Sequence, residues 1–227
     1  MRIIVSAALL LSCILGYSES ARAGEEVQVS PIDVYISGFG GYSFPLKTDL
    51  IQGGIRVKDA ELDHSPSFGG KVGVWFTAPR KIMGIDLGAE IDVTHFHPNL
   101  PGGQLLSSNI GPVRTTSSFD LNATYYGINV LARLPIGVSS ELPSGRWFPY
   151  IGVGGGAQQL RADVPGLKVS DTAPAFQGLA GVKVFLSQYL AVFAEGKFLH
   201  ASHNFEGVIS ADLNTFHAVG GVALHLN

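Results

Sequence analysis

From Thr215 to Leu226 apolar and polar positions alternate almost without a break. Phe216, Ala218, Gly220, Val222, Leu224 and Leu226 fall on one face; Thr215, His217, Val219, Gly221, Ala223 and His225 fall on the other. Residues 190–198 repeat the pattern, with Leu190, Val192, Ala194 and Phe198 opposite Glu195 and Lys197. Further upstream, Ile85, Leu87, Ala89, Ile91 and Val93 oppose Asp86, Glu90, Asp92 and Thr94. Phe68, Val72, Val74 and Phe76 oppose Lys71 and Thr77, and Phe176, Ala180, Val182 and Val184 oppose Gln177 and Lys183. A period of two is that of a β-strand whose two faces meet unlike surroundings. Segments of about ten residues match a tilted strand that crosses a bilayer.

Read this way, the chain holds eight strands: Asp33 to Phe44, Ser67 to Thr77, Gly84 to His95, Ser117 to Leu134, Trp147 to Arg161, Ala175 to Phe185, Leu190 to Ala201 and Asn214 to Leu226. Turn-forming residues separate them, among them Pro45, Pro79, Pro98-Asn99, Pro135, Pro143-Ser144-Gly145, Pro165-Gly166 and Ser187-Gln188. Tyr125-Tyr126 and Asn129-Val130-Leu131 blur the phase of the fourth strand, as a bulge would. The odd-numbered connections are the longer ones, led by Pro45 to Pro66 and Phe96 to Thr116, whereas Leu186 to Tyr189 is very short. Short periplasmic turns alternating with longer extracellular loops are the habit of outer-membrane barrels. Both termini are then expected on the periplasmic side.

Composition decides which face looks at lipid. Charged residues are 15% of the chain, against about 25% in soluble domains. Mean hydropathy is positive, yet no long apolar run follows Gly16, which excludes a helical membrane protein. A soluble lipocalin-like barrel would carry Lys and Glu on its outer, polar face. Here the polar face mixes charges of both signs with Gly, Ser, Thr and His, and the apolar face is almost free of charge. The expected fold is therefore all-β: an eight-stranded antiparallel up-and-down transmembrane β-barrel, lipid outside and paired polar groups in the lumen. Trp75, Phe76, Trp147, Phe148, Phe185 and Tyr189 gather near the periplasmic strand ends, where an interfacial aromatic girdle is expected.

Residues 1–23 read as a secretory signal peptide: Arg2, the apolar stretch Ile3 to Gly16, and the cleavage site Ala21-Arg22-Ala23. The mature chain would be a single barrel domain over residues 24–227. The one cysteine, Cys13, lies inside the leader, so the mature chain is expected to have neither disulfide nor thiol chemistry. Losing Arg2, Arg22 and Glu19 with the leader turns 15 basic and 18 acidic residues into 13 and 17, a net charge of −4. No basic patch suits a nucleic acid.

Ala180-Gly181-Val182-Lys183, Phe193 to Phe198, Asn214 to His217 and Gly220-Gly221-Val222 together resemble the closing strands of the OmpA/OmpX-like family of bacterial outer-membrane β-barrels. Phe148-Pro149-Tyr150-Ile151-Gly152-Val153-Gly154 is similar to the beginning of that family's fifth strand. The resemblance covers most of the mature chain. It implies a Gram-negative cell outer membrane, handling by the outer-membrane insertion machinery, contact with outer-membrane lipids including lipopolysaccharide, and a monomer. Family members usually end in an aromatic residue; this sequence ends His225-Leu226-Asn227.

Candidate chemistry falls into three groups. Lys71, Asp86, Glu90, Asp92, Lys183, Glu195 and Lys197 point into the lumen. An eight-stranded barrel is just wide enough for side chains to fill, and unpaired buried charges are costly. The expectation is a salt-bridged plug and no large pore, with a narrow ion path as the alternative. His200 and Ser202 share the lipid-facing phase with Asp212 and Asn214, so a Ser–His–acid set could hydrolyse an acyl ester. Lipid A deacylases are similar in using a lipid-facing His-x-Ser pair followed directly by Asn; here His203 stands before Asn204. His95 and His97 share a face and could begin a metal site, with Asp63 or His64 as a third ligand. Asp92 to Phe96 resembles a stretch of barrels described as lipid A oxidases. The plain alternative in both cases is a polar rim at headgroup depth. Gly152 to Ala157 matches the letters of a dinucleotide fingerprint, but no helix follows it; glycines there ease barrel curvature. The expected role is a non-enzymatic barrel, without cofactor, serving membrane integrity or surface interaction through its loops. The alternative is a lipid A-modifying enzyme, deacylase or oxidase, acting at the lipid-facing rim.

Overall fold

Every alternating segment is a strand. In the computed structural model, which describes residues 29–46, 48–52, 55–60, 62–99, 105–108, 111–114, 120–164, 167–205 and 209–226, the chain runs through β1 (Ile32–Pro45), β2 (Thr48–Gln52), β3 (Ile55–Ala60), β4 (Ser65–Phe76), a single helical turn α1 (Arg80–Met83), β5 (Asp86–Phe96), β6 (Leu105–Ser108), β7 (Gly111–Arg114), β8 (Asp120–Arg133), β9 (Trp147–Val164), β10 (Leu167–Phe185), β11 (Leu190–Phe205) and β12 (Ile209–Leu226). The expected leader, with Cys13 and the mature start at Gly24, lies outside the described residues.

Eight of these strands form the barrel, in the order β1-β4-β5-β8-β9-β10-β11-β12, each antiparallel to its neighbours. Pairing of β12 with β1, from Val34↔Leu226 to Pro45↔Thr215, closes the ring. Closure leaves no sheet edge within the ring, the condition for placing strands in lipid, where no water satisfies a free N–H or C=O. Burial follows the sequence phase throughout. Lys71, Asp86, Glu90, Asp92, Lys183, Glu195 and Lys197 are all buried in the lumen, while Val72, Ile91, Val93, Val130, Val153, Phe176, Val222 and Leu224 face outward. The phase of β8 holds from Ala123 to Arg133 with no shift of register against β5 or β9, so the bulge expected there is absent from that stretch.

Strand ends at three connections differ from the sequence reading, each for a physical reason. The segment Ala162 to Pro174, read as a loop, is mostly strand: β9 and β10 form a hairpin that runs to Val164 and Leu167. Pro174 lies inside β10, at the point where β10 leaves β11, since their pairing begins at Ala175↔Ala201. A residue without an N–H is tolerated where a ladder ends. Likewise β11 and β12 extend to Phe205 and Ile209 through the expected loop Ser202 to Leu213. Beyond the bilayer neither face needs to be apolar, so the alternation fades although the strands continue. Finally, the second connection holds α1, closed by Gly84 in the left-handed region at φ 73°, and β5 therefore starts at Asp86.

The four short strands lie in the first and third connections and continue the sheet outward from β12 in the order β2-β3-β6-β7. With β9 to β12 at 16–19 residues each, well beyond the ten or so that span a bilayer, the end of the barrel expected to be extracellular carries a raised sheet. The glycine run of β9 serves close packing: a Cβ on Gly154 would overlap Asn129 Oδ1 and the Ile128 carbonyl of β8.

Cysteines placed at Val93 and Val222, 37% and 48% exposed, are expected to react with lipid-soluble thiol reagents in the assembled barrel, and cysteines at Glu90 and Glu195, each 4% exposed, to be protected. Labelling of the two Glu positions by the lipid-soluble reagent would refute the orientation of the faces.

Candidate functional site in the lumen and at the outer rim

The lumen is built in layers. At its centre Lys71 Nζ lies 2.7 and 2.8 Å from the two oxygens of Glu195 and 3.1 Å from Glu90 Oε1. Lys197 Nζ bonds to Asp92 at 2.7 Å and to Thr94 Oγ1 at 3.0 Å. Neutral donors complete the carboxylates: Tyr35 to Glu90, Tyr150 to Glu195 at 2.8 Å, Asn129 to Glu90 at 3.1 Å and Gln177 to Asp92 at 3.0 Å. The partners come from β1, β4, β5, β8, β9, β10 and β11, so the network ties seven of the eight barrel strands together across the lumen.

A second ionic group closes the periplasmic end. Arg133 bridges Asp86 at 2.7 Å and Asp33 at 2.9 Å, and its guanidinium lies against the rings of both Trp75 and Phe148, 4.6 Å from each. Arg80 of α1 also bonds to Asp86 and reaches the Pro143 carbonyl at 2.8 Å. His225 Nδ1 and Ser144 Oγ bond to the two oxygens of Asp33. The periplasmic turns are thereby fastened over the mouth. An aromatic layer lies between these two groups, including Tyr35, Trp75, Phe148, Tyr150 and Phe193; a second apolar layer with Phe96, Tyr125, Leu160 and Leu199 lies nearer the outside.

Several expectations need correction. Asp86 belongs to the periplasmic group with Arg133 and Arg80, apart from the central network. Lys183 was expected to pair with an acid; among the described residues no carboxylate lies within ion-pair distance, and its ammonium sits 3.9 Å from the centre of the Tyr35 ring. Of the six residues assigned to an interfacial girdle, Trp75, Phe148 and Phe185 are buried in the lumen; Phe76, Trp147 and Tyr189 are exposed as expected. Position along the strand suggested membrane depth, but phase decides the face. Arg133, Asp33, His225, Tyr35 and Tyr150 were missed. Each lies in the inward phase of its strand, which was the available signal.

On the outer rim, His200 and Ser202 of β11 and Asp212 and Asn214 of β12 share the lipid-facing side as expected. Register sets His200 opposite Asn214 and Ser202 opposite Asp212. The imidazole bonds to the amide: His200 Nδ1 is 2.8 Å from Asn214 Oδ1. The partner of the histidine is thus Asn214, where Asp212 had been expected. Further round the rim, His95 Nδ1 is 2.8 Å from Thr124 Oγ1, and its ring contacts Phe68 and the edge of His97. Among the described residues no third His, Cys, Asp or Glu completes a metal site with His95 and His97; His64 stands against Phe44 instead.

A closed antiparallel ring of eight strands, apolar outside and ionically paired inside, defines a transmembrane β-barrel. The family model of the outer membrane protein beta-barrel domain matches residues 7–222, and the chain belongs to that family of outer-membrane barrels. No curated protein matches the chain. Among solved structures, OprG from Pseudomonas aeruginosa is similar with 11% identity, 89% of this chain and 100% of that chain covered, and a TM-score of 0.53. Neisserial surface protein A has 12% identity, 86% and 97% coverage and a TM-score of 0.45. Ail of Yersinia pestis has 11% identity, 87% and 100% coverage and a TM-score of 0.43. At such identities the likeness to OprG speaks for the fold alone.

Because Lys71 is held between two carboxylates, Glu195→Ala is expected to destabilise the detergent-folded barrel by about 3 kcal/mol, leaving buried cations short of a counter-charge. Glu195→Gln, which keeps the shape and some hydrogen bonds, is expected to cost less. Urea denaturation followed by heat-modifiable gel mobility measures both. Equal stability of wild type and Glu195→Ala would refute the role assigned to the pair.

Proposed function

We propose that the protein is a non-conducting outer-membrane barrel, non-enzymatic, that contributes to envelope integrity and to surface interaction through its extracellular strands. The observation that carries this reading is the filled lumen. Buried charges engage one another across the bore, and aromatic layers stand on both sides of the central network. The cavity beside Lys183 measures about 10 Å3 as the space open to a water's centre, which is room for a single small occupant. Side chains at the periplasmic mouth also bond across it, so water meets a wall at that end. The raised outer sheet supports a role in contact, since the longest strands are those that leave the membrane. In this reading the leader is cleaved after Ala23, the barrel is a monomer, and its rim meets lipopolysaccharide in the outer leaflet.

A second reading rests on one specific contact. With the Asn214 oxygen as acceptor, His200 Nδ1–H donates and leaves Nε2 free to take a proton, as an acyl-transfer base must. Ser202 is on the same face and exposed. This supports a lipid A deacylase with Ser202 as nucleophile, His200 as base and Asn214 as orienting residue.

Planar-bilayer recordings and lipid A mass spectra distinguish these readings. The first expects no wide, stable conductance from purified wild-type barrel, and the same lipid A acyl count in cells with wild type, Ser202→Ala, His200→Ala or no protein. A large reproducible channel would overturn the plugged lumen. Loss of one acyl chain that depends on both Ser202 and His200, with heat-modifiable mobility unchanged in both variants, would replace the first reading with the second.

A further inference from the structure

We propose that the lumen holds a binding site for one halide ion, formed by Lys183, Trp75 and Ser37. These three side chains line a single cavity together with Tyr35, Lys71 and Glu90. All are inward-facing and nearly fully buried: Lys183 is 3% exposed, Trp75 1% and Ser37 7%. Trp75 Nε1 and Ser37 Oγ have no hydrogen-bond partner in the protein, and Lys183 has no carboxylate within ion-pair distance among the described residues. Buried polar atoms in folded proteins are nearly always bonded. Two groups without a protein partner and an unpaired ammonium around one cavity therefore mark a place for a ligand.

The chemistry of that ligand follows from what the cavity offers. An indole N–H and an ammonium only donate, and a serine hydroxyl can donate, so the occupant must accept. The carboxylate in the wall is already engaged: Glu90 takes Lys71 at 3.1 Å, Asn129 at 3.1 Å, and Tyr35. Lys71 is already engaged by Glu90 and Glu195, so Lys183 is the lining cation left without a carboxylate partner among the described residues, and it favours an anion beside it. A volume near 10 Å3 open to a water's centre suits one small particle. The Tyr35 ring face beneath Lys183 offsets part of the cost of burying its charge, but it supplies nothing to Trp75 or Ser37. A monoatomic anion in this cavity would be positioned to accept from all three. A water is the competing occupant, and it would give neither an anomalous peak in bromide nor a chloride dependence.

The site is independent of both functional readings above, because it lies inside the bore and away from the rim. It is tested by refolding the full barrel in bromide, crystallising it, and collecting data at the bromine edge. The expected result is an anomalous peak within hydrogen-bond range of Lys183 Nζ and Trp75 Nε1, lost in Lys183→Met and weakened in Trp75→Phe. In solution, chloride is expected to raise the thermal midpoint of the wild type relative to gluconate at equal ionic strength. In Trp75→Phe the half-maximal shift is expected at about tenfold higher chloride, the effect of one hydrogen bond to an ion. Absence of the peak in the wild type, a peak of equal strength in Lys183→Met, or identical chloride dependence in wild type and Trp75→Phe would overturn the proposal. If Lys183→Met does not fold, the wild-type map and the Trp75→Phe titration decide.

Discussion

The structure turns on Lys71, a cation held in a filled bore between Glu90 and Glu195. Eight strands enclose a space that side chains alone can fill, so whatever the inward face carries must be satisfied by other inward groups. A charge left alone there would cost several kcal/mol. The solution is reciprocal: two acids share one lysine, a second lysine is bound to Asp92, and phenols and amides take up the remaining lone pairs. The same ions also define register. Because strand faces alternate with period two, a slip of one residue would put Lys71 and Glu90 into lipid and Val72 and Ile91 into the ionic centre. An all-apolar lumen would penalise that slip far less.

Around this centre the barrel divides along its axis. Towards the periplasm, Arg133 lies against two rings and joins Asp86 to Asp33, while Arg80 and Ser144 reach in from the turns. That end is stapled by side chains from connections as well as from strands. Towards the outside, ionic ties give way to an apolar layer, and the strands go on as a sheet extended by β2, β3, β6 and β7. His95 and His200 sit at this transition, each fixed through Nδ1 by a neighbouring strand. Their orientation is set by sheet register, which makes them good reporters of the local geometry whatever their chemistry.

Much of this was legible in the sequence, because lipid on one side and a polar lumen on the other impose a strict alternation. Strand number, strand order, the direction of the faces and the inward position of all seven lumen charges followed from it. The partners did not. Nothing in a single strand says that Glu195 of β11 meets Lys71 of β4, since that depends on how far opposite walls are staggered. Lys183 was misjudged for the same reason: alternation gives its face, but only the assembled lumen shows an aromatic ring where a carboxylate was expected. Trp75, Phe148 and Phe185 were placed by their distance from strand ends, a weaker guide than phase. At the rim, phase brought His200, Ser202 and Asp212 to one side correctly, and the ladder then gave the histidine to Asn214 directly opposite. Pro174 hid the upper part of β10 because proline signals an end in most strands, while here it marks the parting of two hairpins.

The pairing of β1 with β12 has a consequence for assembly. Val34 meets Leu226, and Asp33 is bonded to a residue 192 positions away, while Lys71 and Glu195 are 124 positions apart. Contacts this distant in sequence require the loop entropy of almost the whole chain to be lost before they form. Until the last strand arrives, the ring is an open sheet with two unpaired edges, and its ionic centre has access to water. Seam formation and the pairing of charges across the bore, such as Lys71 with Glu195, therefore belong to the end of folding. The barrel should pass from a hydrated, edge-exposed intermediate to its final state in a single late and slow step.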